Sequence, residues 1–201
     1  IYIKTLFDQY AANYDEHLVD HLGYSSPQLL LSALEAVAGQ RRFTNALDLG
    51  CGTGLAGACF RNRVDHLTGV DLSPEMIAQA FQKEHYEVLR EADLLSYLSR
   101  SEDRFDLVIA ADSLPYFGDL APIVSALSQR MPATGLFLFT IESGNCATWE
   151  AQPSGRFAHS ATYIESLATE FGFKILHNKE QPLRKQQSGQ VMGHITIFEK
   201  R

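Results

Sequence analysis

The feature that most constrains this chain is a glycine-rich segment, residues 50–54 (GCGTG), which directly follows a short apolar run at residues 46–49. Glycine accepts positive φ angles and lets a ligand approach the backbone closely. A strand that ends, turns tightly and leads into a helix near Leu55 therefore predicts one half of a nucleotide site. Such a turn is weak evidence alone, because glycines collect in turns of every kind.

Asp71 strengthens this prediction because it ends the next apolar run, residues 67–70. A carboxylate in that place can accept hydrogen bonds from both hydroxyls of a ribose. The alternative for Asp71 is a turn residue or helix cap, since Ser73 and Pro74 predict a helix start directly after it. The setting between two predicted strands favours the ribose role.

Apolar runs and helical segments alternate over most of the chain, which is the pattern of βαβ units around a parallel sheet. Seven runs predict strands, at residues 46–49, 67–70, 86–89, 105–111, 136–141, 173–177 and 191–198. No helix is predicted between the last two runs, so we expect them to pair as an antiparallel hairpin. The predicted fold class is α/β, with a mostly parallel seven-stranded sheet, an antiparallel final hairpin and helices on both faces.

Two further helices are predicted ahead of the sheet. The first lies within residues 5–20 and carries apolar residues at every fourth position, Leu6, Tyr10, Tyr14 and Leu18. The second begins at Ser26 and ends before Gly39. Tyr10 and Tyr14 are one helical turn apart and either close over a bound ligand or pack within the helix layer. We expect one domain, residues 1–201, with a helical lid at residues 1–40 and a core at residues 41–201.

Composition excludes several classes of protein. The chain has 201 residues, of which 45% are hydrophobic and 20% charged. Both this length and this composition are typical of one globular domain. Its formal net charge of −7 disfavours nucleic acid as a partner. No segment approaches the roughly 20 apolar residues of a membrane span, and the first residues lack a signal-peptide layout, so we expect a cytoplasmic protein with no membrane partner. The three cysteines show no metal-ligand spacing, so no metal site is predicted.

Residues 47–54 (LDLGCGTG) resemble the first motif of class I S-adenosylmethionine-dependent methyltransferases. The third glycine decides between cofactors, because a dinucleotide fingerprint places it one residue later, where this chain has Leu55. Three later segments are similar to further motifs of the family, in the right order: residues 69–73 (GVDLS), 92–94 (ADL) and 105–112 (FDLVIAAD). The resemblance implies a Rossmann-like fold and S-adenosylmethionine as the cofactor.

The resemblance also implies roles for individual residues. It places the backbone of Gly50, Cys51 and Gly52 against the methionine portion of the cofactor, Asp71 on the ribose, and Leu72 and Met76 beside the adenine. Asp48 and Tyr14 are further candidate cofactor-binding residues. The resemblance further implies that Asp93 accepts from the adenine amino group, that Leu94 donates through its backbone, and that Ala110 and Asp112 meet the amino end. For Met76, ordinary core packing at helical spacing is an equally open interpretation.

Both ends of the chain, residues 7–18 and 156–160, resemble a group of predicted small-molecule methyltransferases, some of which carry tetratricopeptide repeats. The candidate catalytic residues are Tyr14 on the first helix, Tyr116 after the fourth strand, and His159, which could act as a base. Arg156 could clamp a carboxylate. The alternatives for the last two are a structural histidine and a surface arginine.

Three functional hypotheses remain open at this point. The leading one is methyl transfer from S-adenosylmethionine to a small molecule, which could bear a carboxylate. The second is a regulatory protein that binds the cofactor without catalysis, since a fold does not guarantee chemistry. The third is a nicotinamide-dependent oxidoreductase, against which Asp48 and the glycine spacing count. The sequence sets neither the acceptor nor the oligomeric state.

Overall fold

The computed structural model of the chain describes residues 4, 5, 7, 8, 24–186 and 189–201. Residues 4, 5, 7 and 8 are helical, as predicted for the first helix. Tyr10 and Tyr14, with most of that predicted helix, lie outside the described residues. Their expected roles therefore stay predictions.

A single mixed sheet forms the centre of the described structure. Its strands are β1 Phe43–Leu49, β2 Val64–Asp71, β3 Val88–Glu91, β4 Leu107–Ala110, β5 Leu136–Ser143, β6 Trp149–Ala151, β7 Phe157–His159, β8 Phe173–Gln186 and β9 Gly189–Lys200. The first five run parallel in the order β3-β2-β1-β4-β5, and β9 pairs antiparallel with both β5 and β8. The predicted Rossmann-like sheet with an antiparallel final hairpin is confirmed.

The helices of the described chain connect these strands. They are α1 Ser26–Ala38, α2 Leu55–Phe60, α3 Pro74–Gln82, α4 Leu94–Arg100, α5 Ala121–Arg130 and α6 Ala161–Glu170, with short 3-10 helices at Arg61–Arg63 and Leu114–Tyr116. The side chain of Ser73 accepts from the Met76 N–H at 3.2 Å and so caps α3, as predicted. Among the described residues, no helix combines the length and apolar character that crossing a bilayer requires.

Helix α1 differs in one respect from the expectation of a lid. Its residues Leu30 and Leu34 are fully buried, and they pack with Ile195 and Ile197 of β9 in one of the two apolar clusters that the described residues form. The helix buries its apolar face against the sheet because that face is continuous along three turns. Helix α1 is therefore part of the layer that covers one face of the core.

Strands β6 and β7 were not predicted, and with them the described part of the chain has nine strands where seven were expected. Strand β7 pairs in parallel with Glu142 and Ser143 at the end of β5. Strand β4 pairs with β5 only as far as Phe139, so the edge of β5 beyond Phe139 is open to β7 instead. The β6–β7 hairpin thus continues the sheet past the end of β4, at the edge where ligands bind in open α/β folds.

Candidate active site

The glycine loop leaves β1 beside β4, the point at which the connections of the sheet change direction. Gly50 and Gly52 have φ angles of +75° and +52°, which favour glycine. The backbone N–H groups of Gly50 and Cys51 both donate to the Val70 carbonyl, at 2.8 and 3.0 Å. A Cβ atom on Gly50 would lie 2.5 Å from Cβ of Ser113. The loop therefore packs closely on its surroundings, and its conformation requires glycine.

Asp71 joins the end of β2 to this loop. Its Oδ2 accepts from the Gly52 N–H and its Oδ1 from the Ser73 N–H, both at 2.9 Å. Burial raises the pKa of Asp71, and these backbone hydrogen bonds oppose the rise. A carboxylate has about four acceptor positions, so it keeps capacity for two further donors.

A cleft with an empty volume of about 790 Å³, including its opening to solvent, lies along the carboxyl edge of the sheet. Its lining includes nine of the predicted site residues: Gly50, Gly52, Asp71, Leu72, Met76, Asp93, Leu94, Asp112 and Tyr116. Four more line it: Phe7, Ala111, Ser113 and Phe117. Met76 lines the cleft while only 1% exposed, so its core packing is confirmed and its contact with the adenine stays a prediction.

A second, smaller cavity lies beneath the glycine loop and shares Gly50, Gly52 and Ala111 with the cleft. Asp48 and Cys51 also line it. Asp48 is 1% exposed, and its Oδ2 accepts a hydrogen bond from the Tyr86 hydroxyl at 2.7 Å. Its Oδ1 has no hydrogen-bond partner among the described residues. Burial raises the pKa of Asp48 to about 7.

Ala110 is not among the residues that line either cavity, although it was predicted to meet the cofactor. Its methyl group is fully buried in the apolar core, and the neighbouring Ala111 lines both cavities instead. The displacement follows from the alternation of side chains along a strand, which turns successive residues to opposite faces. The Ala110 side chain therefore faces the core, and a contact between its backbone and the cofactor stays a prediction.

His159 also lies outside the lining of both cavities. It is fully buried, and its Nε2 lies 2.9 Å from the Gly118 carbonyl, so Nε2 carries the proton. Its ring stacks on Tyr163 with centroids 6.0 Å apart. Burial lowers the pKa of His159, which keeps the ring neutral. Through these contacts His159 stabilises the turn at Gly118.

A buried cluster of two arginines and two acids lies behind Tyr116. Arg156 contacts Asp112 through Nη2 at 2.5 Å and donates from Nη1 to the Tyr116 hydroxyl at 3.0 Å. Its Nε lies 2.6 Å from Oε1 of Glu142, close enough for an ion pair but not aligned for a hydrogen bond. Arg184 donates to Glu142 at 2.6 Å and approaches Asp112 at 3.4 Å. The four side chains are each at most 10% exposed, and their charges balance.

Sequence reasoning gave Asp112 and Arg156 candidate roles but missed Arg184. The long β8–β9 hairpin carries Arg184 back over the end of β5. No motif or periodicity surrounds this arginine, so its place in the cluster follows from the tertiary fold alone.

Residues 46–135 match the model of a family described as a methyltransferase domain. The fold also matches the N-methyltransferase NodS of Bradyrhizobium japonicum, solved with S-adenosylhomocysteine, with a TM-score of 0.77 at 18% identity over 98% of this chain and 97% of that one. Residues 46–135 therefore carry the sequence pattern of a methyltransferase domain, and the described chain has the fold of class I S-adenosylmethionine-dependent methyltransferases. S-adenosylmethionine is the cofactor of this family.

Other relatives of the methyltransferase domain differ in their named acceptors. A malonyl-[acyl-carrier protein] O-methyltransferase of Pseudescherichia vulneris is 29% identical over 83% of this chain and 65% of its own length. The 1,6-didemethyltoxoflavin-N1-methyltransferase of Burkholderia thailandensis shares the fold, with a TM-score of 0.74 at 17% identity over 98% of this chain and 87% of that one. The chain spans between about half and two thirds of the first curated relatives it matches.

The residues of the methyltransferase domain fit its cofactor. A Cβ atom added to Gly52 would meet nothing within 4 Å, so the absence of a side chain keeps space beside the loop. Asp71 presents its remaining acceptor capacity to the cleft, as a ribose requires. The unpartnered Oδ1 of Asp48 suits the ammonium group of the methionine portion. Met76, Asp93 and Leu94 line the side assigned to the adenine.

Proposed function

We propose that this protein binds S-adenosylmethionine in the cleft and transfers its methyl group to a small-molecule acceptor. One observation carries the proposal: a single cleft runs from Asp71 and Asp93 to Tyr116 and Phe117. The first pair suits an adenosyl group, and the second pair leaves an aromatic and polar surface for an acceptor. Donor and acceptor can therefore lie side by side in one site.

The cofactor, when bound, supplies an electrophilic methyl group on a positively charged sulfur. The residues of the chain hold the two molecules in line and exclude water, and such positioning contributes on the order of 7–11 kcal/mol. Phe7 packs edge-on against Tyr116, with ring centroids 5.3 Å apart, and both rings line the cleft. Desolvation raises the pKa of Tyr116, so its hydroxyl stays protonated near neutral pH and can donate to an acceptor.

We further propose that the acceptor presents a carboxylate. Among the described lining residues there is no histidine or lysine. Of the lining acids, Asp71 and Asp93 accept from backbone N–H groups, and Asp112 is paired with Arg156. A protonated amine or a hydroxyl would need a base, whereas a carboxylate with a pKa of about 4 is already ionised. The malonyl group named for one relative is an acceptor of this class.

The charge of the cluster limits the attraction that such an acceptor experiences. Because Arg156 and Arg184 are balanced by Asp112 and Glu142, the cluster is neutral. It can orient the Tyr116 hydroxyl, which accepts from Arg156 and keeps its own proton free to donate. We propose that the acceptor carboxylate binds this hydroxyl as a hydrogen-bond acceptor, not through a net positive field.

The experiment is a test of turnover with matched acceptor pairs, each a small carboxylic acid or malonyl thioester and its primary amide. Release of S-adenosylhomocysteine and methyl incorporation are measured by mass spectrometry. We expect methylation of acids and none of the paired amides. Methylation of amides or amines would contradict the carboxylate part alone. Cofactor binding without turnover on any acceptor would favour a non-catalytic protein, and binding of NAD in place of S-adenosylhomocysteine would overturn the whole proposal.

A further inference from the structure

Tyr86 packs against the glycine loop, a contact that the sequence did not predict. It lies in the connection between α3 and β3 and belongs to neither cavity. Its hydroxyl donates to Oδ2 of Asp48 at 2.7 Å and accepts from the backbone N–H of Gly57 at 3.1 Å. One hydroxyl thus joins the acid at the end of β1 to the helix that follows the loop.

Three glycines make the space for the Tyr86 ring. A Cβ atom on Gly57 would lie 2.5 Å from the ring and its hydroxyl, one on Gly69 would lie 2.9 Å from the ring, and one on Gly54 would lie 3.1 Å from it. Real Cβ atoms almost never make contacts under 3.0 Å, so a side chain on Gly57 or Gly69 would displace the ring, and one on Gly54 would press tightly against it. These glycines come from the loop, helix α2 and strand β2, which all converge on the same aromatic side chain.

Helix α2 depends on this contact for its first turn. The first N–H groups of a helix have no partner within the helix, and a side chain normally satisfies one of them. The N-cap of α2 is Gly54, which provides no side-chain cap. The Tyr86 hydroxyl accepts a hydrogen bond from the Gly57 N–H and so replaces the missing side-chain cap of α2.

We propose that Tyr86 is a positioning residue of the cofactor site, which fixes the Asp48 carboxylate and the first turn of α2 and thereby sets the affinity for S-adenosylmethionine. The inference rests on the proposed function, because the ligand of the site is the cofactor named there. Tyr86 acts through Asp48 and the loop and does not touch the cleft.

The ionisation of Asp48 gives this role a signature of its own. The titratable groups that act on Asp48 or are affected by its charge are Tyr86, Cys51, Cys59 and Asp71. Burial raises the pKa of Asp48, and the hydrogen bond from Tyr86 opposes that rise. Loss of the hydroxyl therefore moves ionisation of Asp48 to higher pH. If Tyr86 acted only by packing, loss of its hydroxyl would leave the pH at which Asp48 ionises unchanged.

The test is calorimetric titration of Tyr86→Phe with S-adenosylhomocysteine between pH 6 and 9. We expect a Kd about five- to tenfold higher than for the wild type near pH 7.5, because a smaller fraction of Asp48 is ionised and its carboxylate is held less firmly. Affinity should rise with pH as Asp48 ionises, and the midpoint should lie higher in Tyr86→Phe. Tyr97→Phe, on helix α4 and outside both cavities, is the matched control and should change neither quantity.

Two further variants keep the outcome decisive. In an Asp48→Asn background the Tyr86→Phe change should shift no pH midpoint, because the titrating group is gone. Gly57→Ala keeps the Tyr86 hydroxyl but displaces its ring, so it should also weaken binding. This variant replaces Tyr86→Phe as the test if Tyr86→Phe does not fold. Wild-type affinity and pH profile in Tyr86→Phe would overturn the inference while leaving the proposed function intact. A wild-type protein that binds no S-adenosylhomocysteine would instead overturn the proposed function, and the inference with it.

Discussion

Oδ2 of Asp71 accepts a hydrogen bond from the backbone N–H of Gly52 at 2.9 Å. The acid at the end of β2 is therefore joined to the loop that follows β1 before any ligand binds. The Ser73 N–H holds the other oxygen, so the carboxylate cannot rotate away from the cleft. Such preorganisation reduces the entropy that a ligand loses on binding.

Replacement of Asp71 by alanine should weaken S-adenosylhomocysteine binding by about 1–3 kcal/mol, because the ribose hydroxyls lose their acceptor and the loop loses its anchor. Asp65→Ala is the matched control, since Asp65 lies at the exposed start of the same strand and pairs with Arg42. Its affinity should equal that of the wild type. Equal affinities in Asp71→Ala and the wild type would remove Asp71 from the site.

Asp48 should make the unfolding free energy depend on pH in a direction opposite to most carboxylates. Its pKa is raised from 3.8 to about 7 by burial, so the folded state favours the protonated acid. That contribution is complete below about pH 4, falls as pH rises, and is lost above about pH 7, a total on the order of 4 kcal/mol.

Urea unfolding of the wild type and of Asp48→Asn from pH 4 to 8 measures this dependence. The difference in unfolding free energy, wild type minus variant, should fall between pH 4 and 7 and stay constant above. Because all other groups are shared, the subtraction isolates Asp48. A difference independent of pH would show that Asp48 titrates alike in the folded and unfolded chain.

Gly57→Ala should destabilise the protein although the residue is helical. Alanine in place of glycine gains about 0.5–1 kcal/mol of helix propensity, whereas overpacking against Tyr86 costs about 1–3 kcal/mol. The net loss should become a gain in a Tyr86→Ala background, where the ring is absent. Thermal and urea unfolding of the four proteins form the cycle, and a loss of equal size in both backgrounds would contradict the contact.

Glu142→Gln should destabilise the fold by about 3–5 kcal/mol, because Arg156 and Arg184 then lose a shared counter-charge in a buried place. Salt should change the effect little, since buried pairs are weakly screened. The exposed Glu150 on β6 provides the matched control, Glu150→Gln. The double variant with Arg184→Met should recover part of the loss, and strict additivity in this cycle would argue against a coupled cluster.

The parts of the site that the sequence predicts are those encoded locally. The glycine loop, Asp71 and the Ser73 cap each depend on residues within a few positions, and the order of motifs placed them at one edge of the sheet. Asp93 was predicted as an adenine contact, and in the structure it lines the cleft and also caps α4 through the Ser96 N–H. Local pattern and family resemblance agree at these positions.

The parts that the sequence does not predict depend on contacts between distant segments. Tyr86 is 38 residues from Asp48, and Arg184 is 42 residues from Glu142. Strands β6 and β7 have three residues each, too few for an alternating pattern to appear. His159 was a candidate base because of its place in the chain. In the structure, strand β7 places its ring against the Gly118 carbonyl, a contact between distant segments.

A crystal structure of the protein grown with S-adenosylhomocysteine tests the central claim most directly. The account predicts density for the ligand in the cleft, with its ribose on Asp71, its adenine beside Leu72 and Met76, and its amino acid end beside the glycine loop near Asp48. A cleft closed by its own side chains, or the ligand bound on another surface, would contradict it.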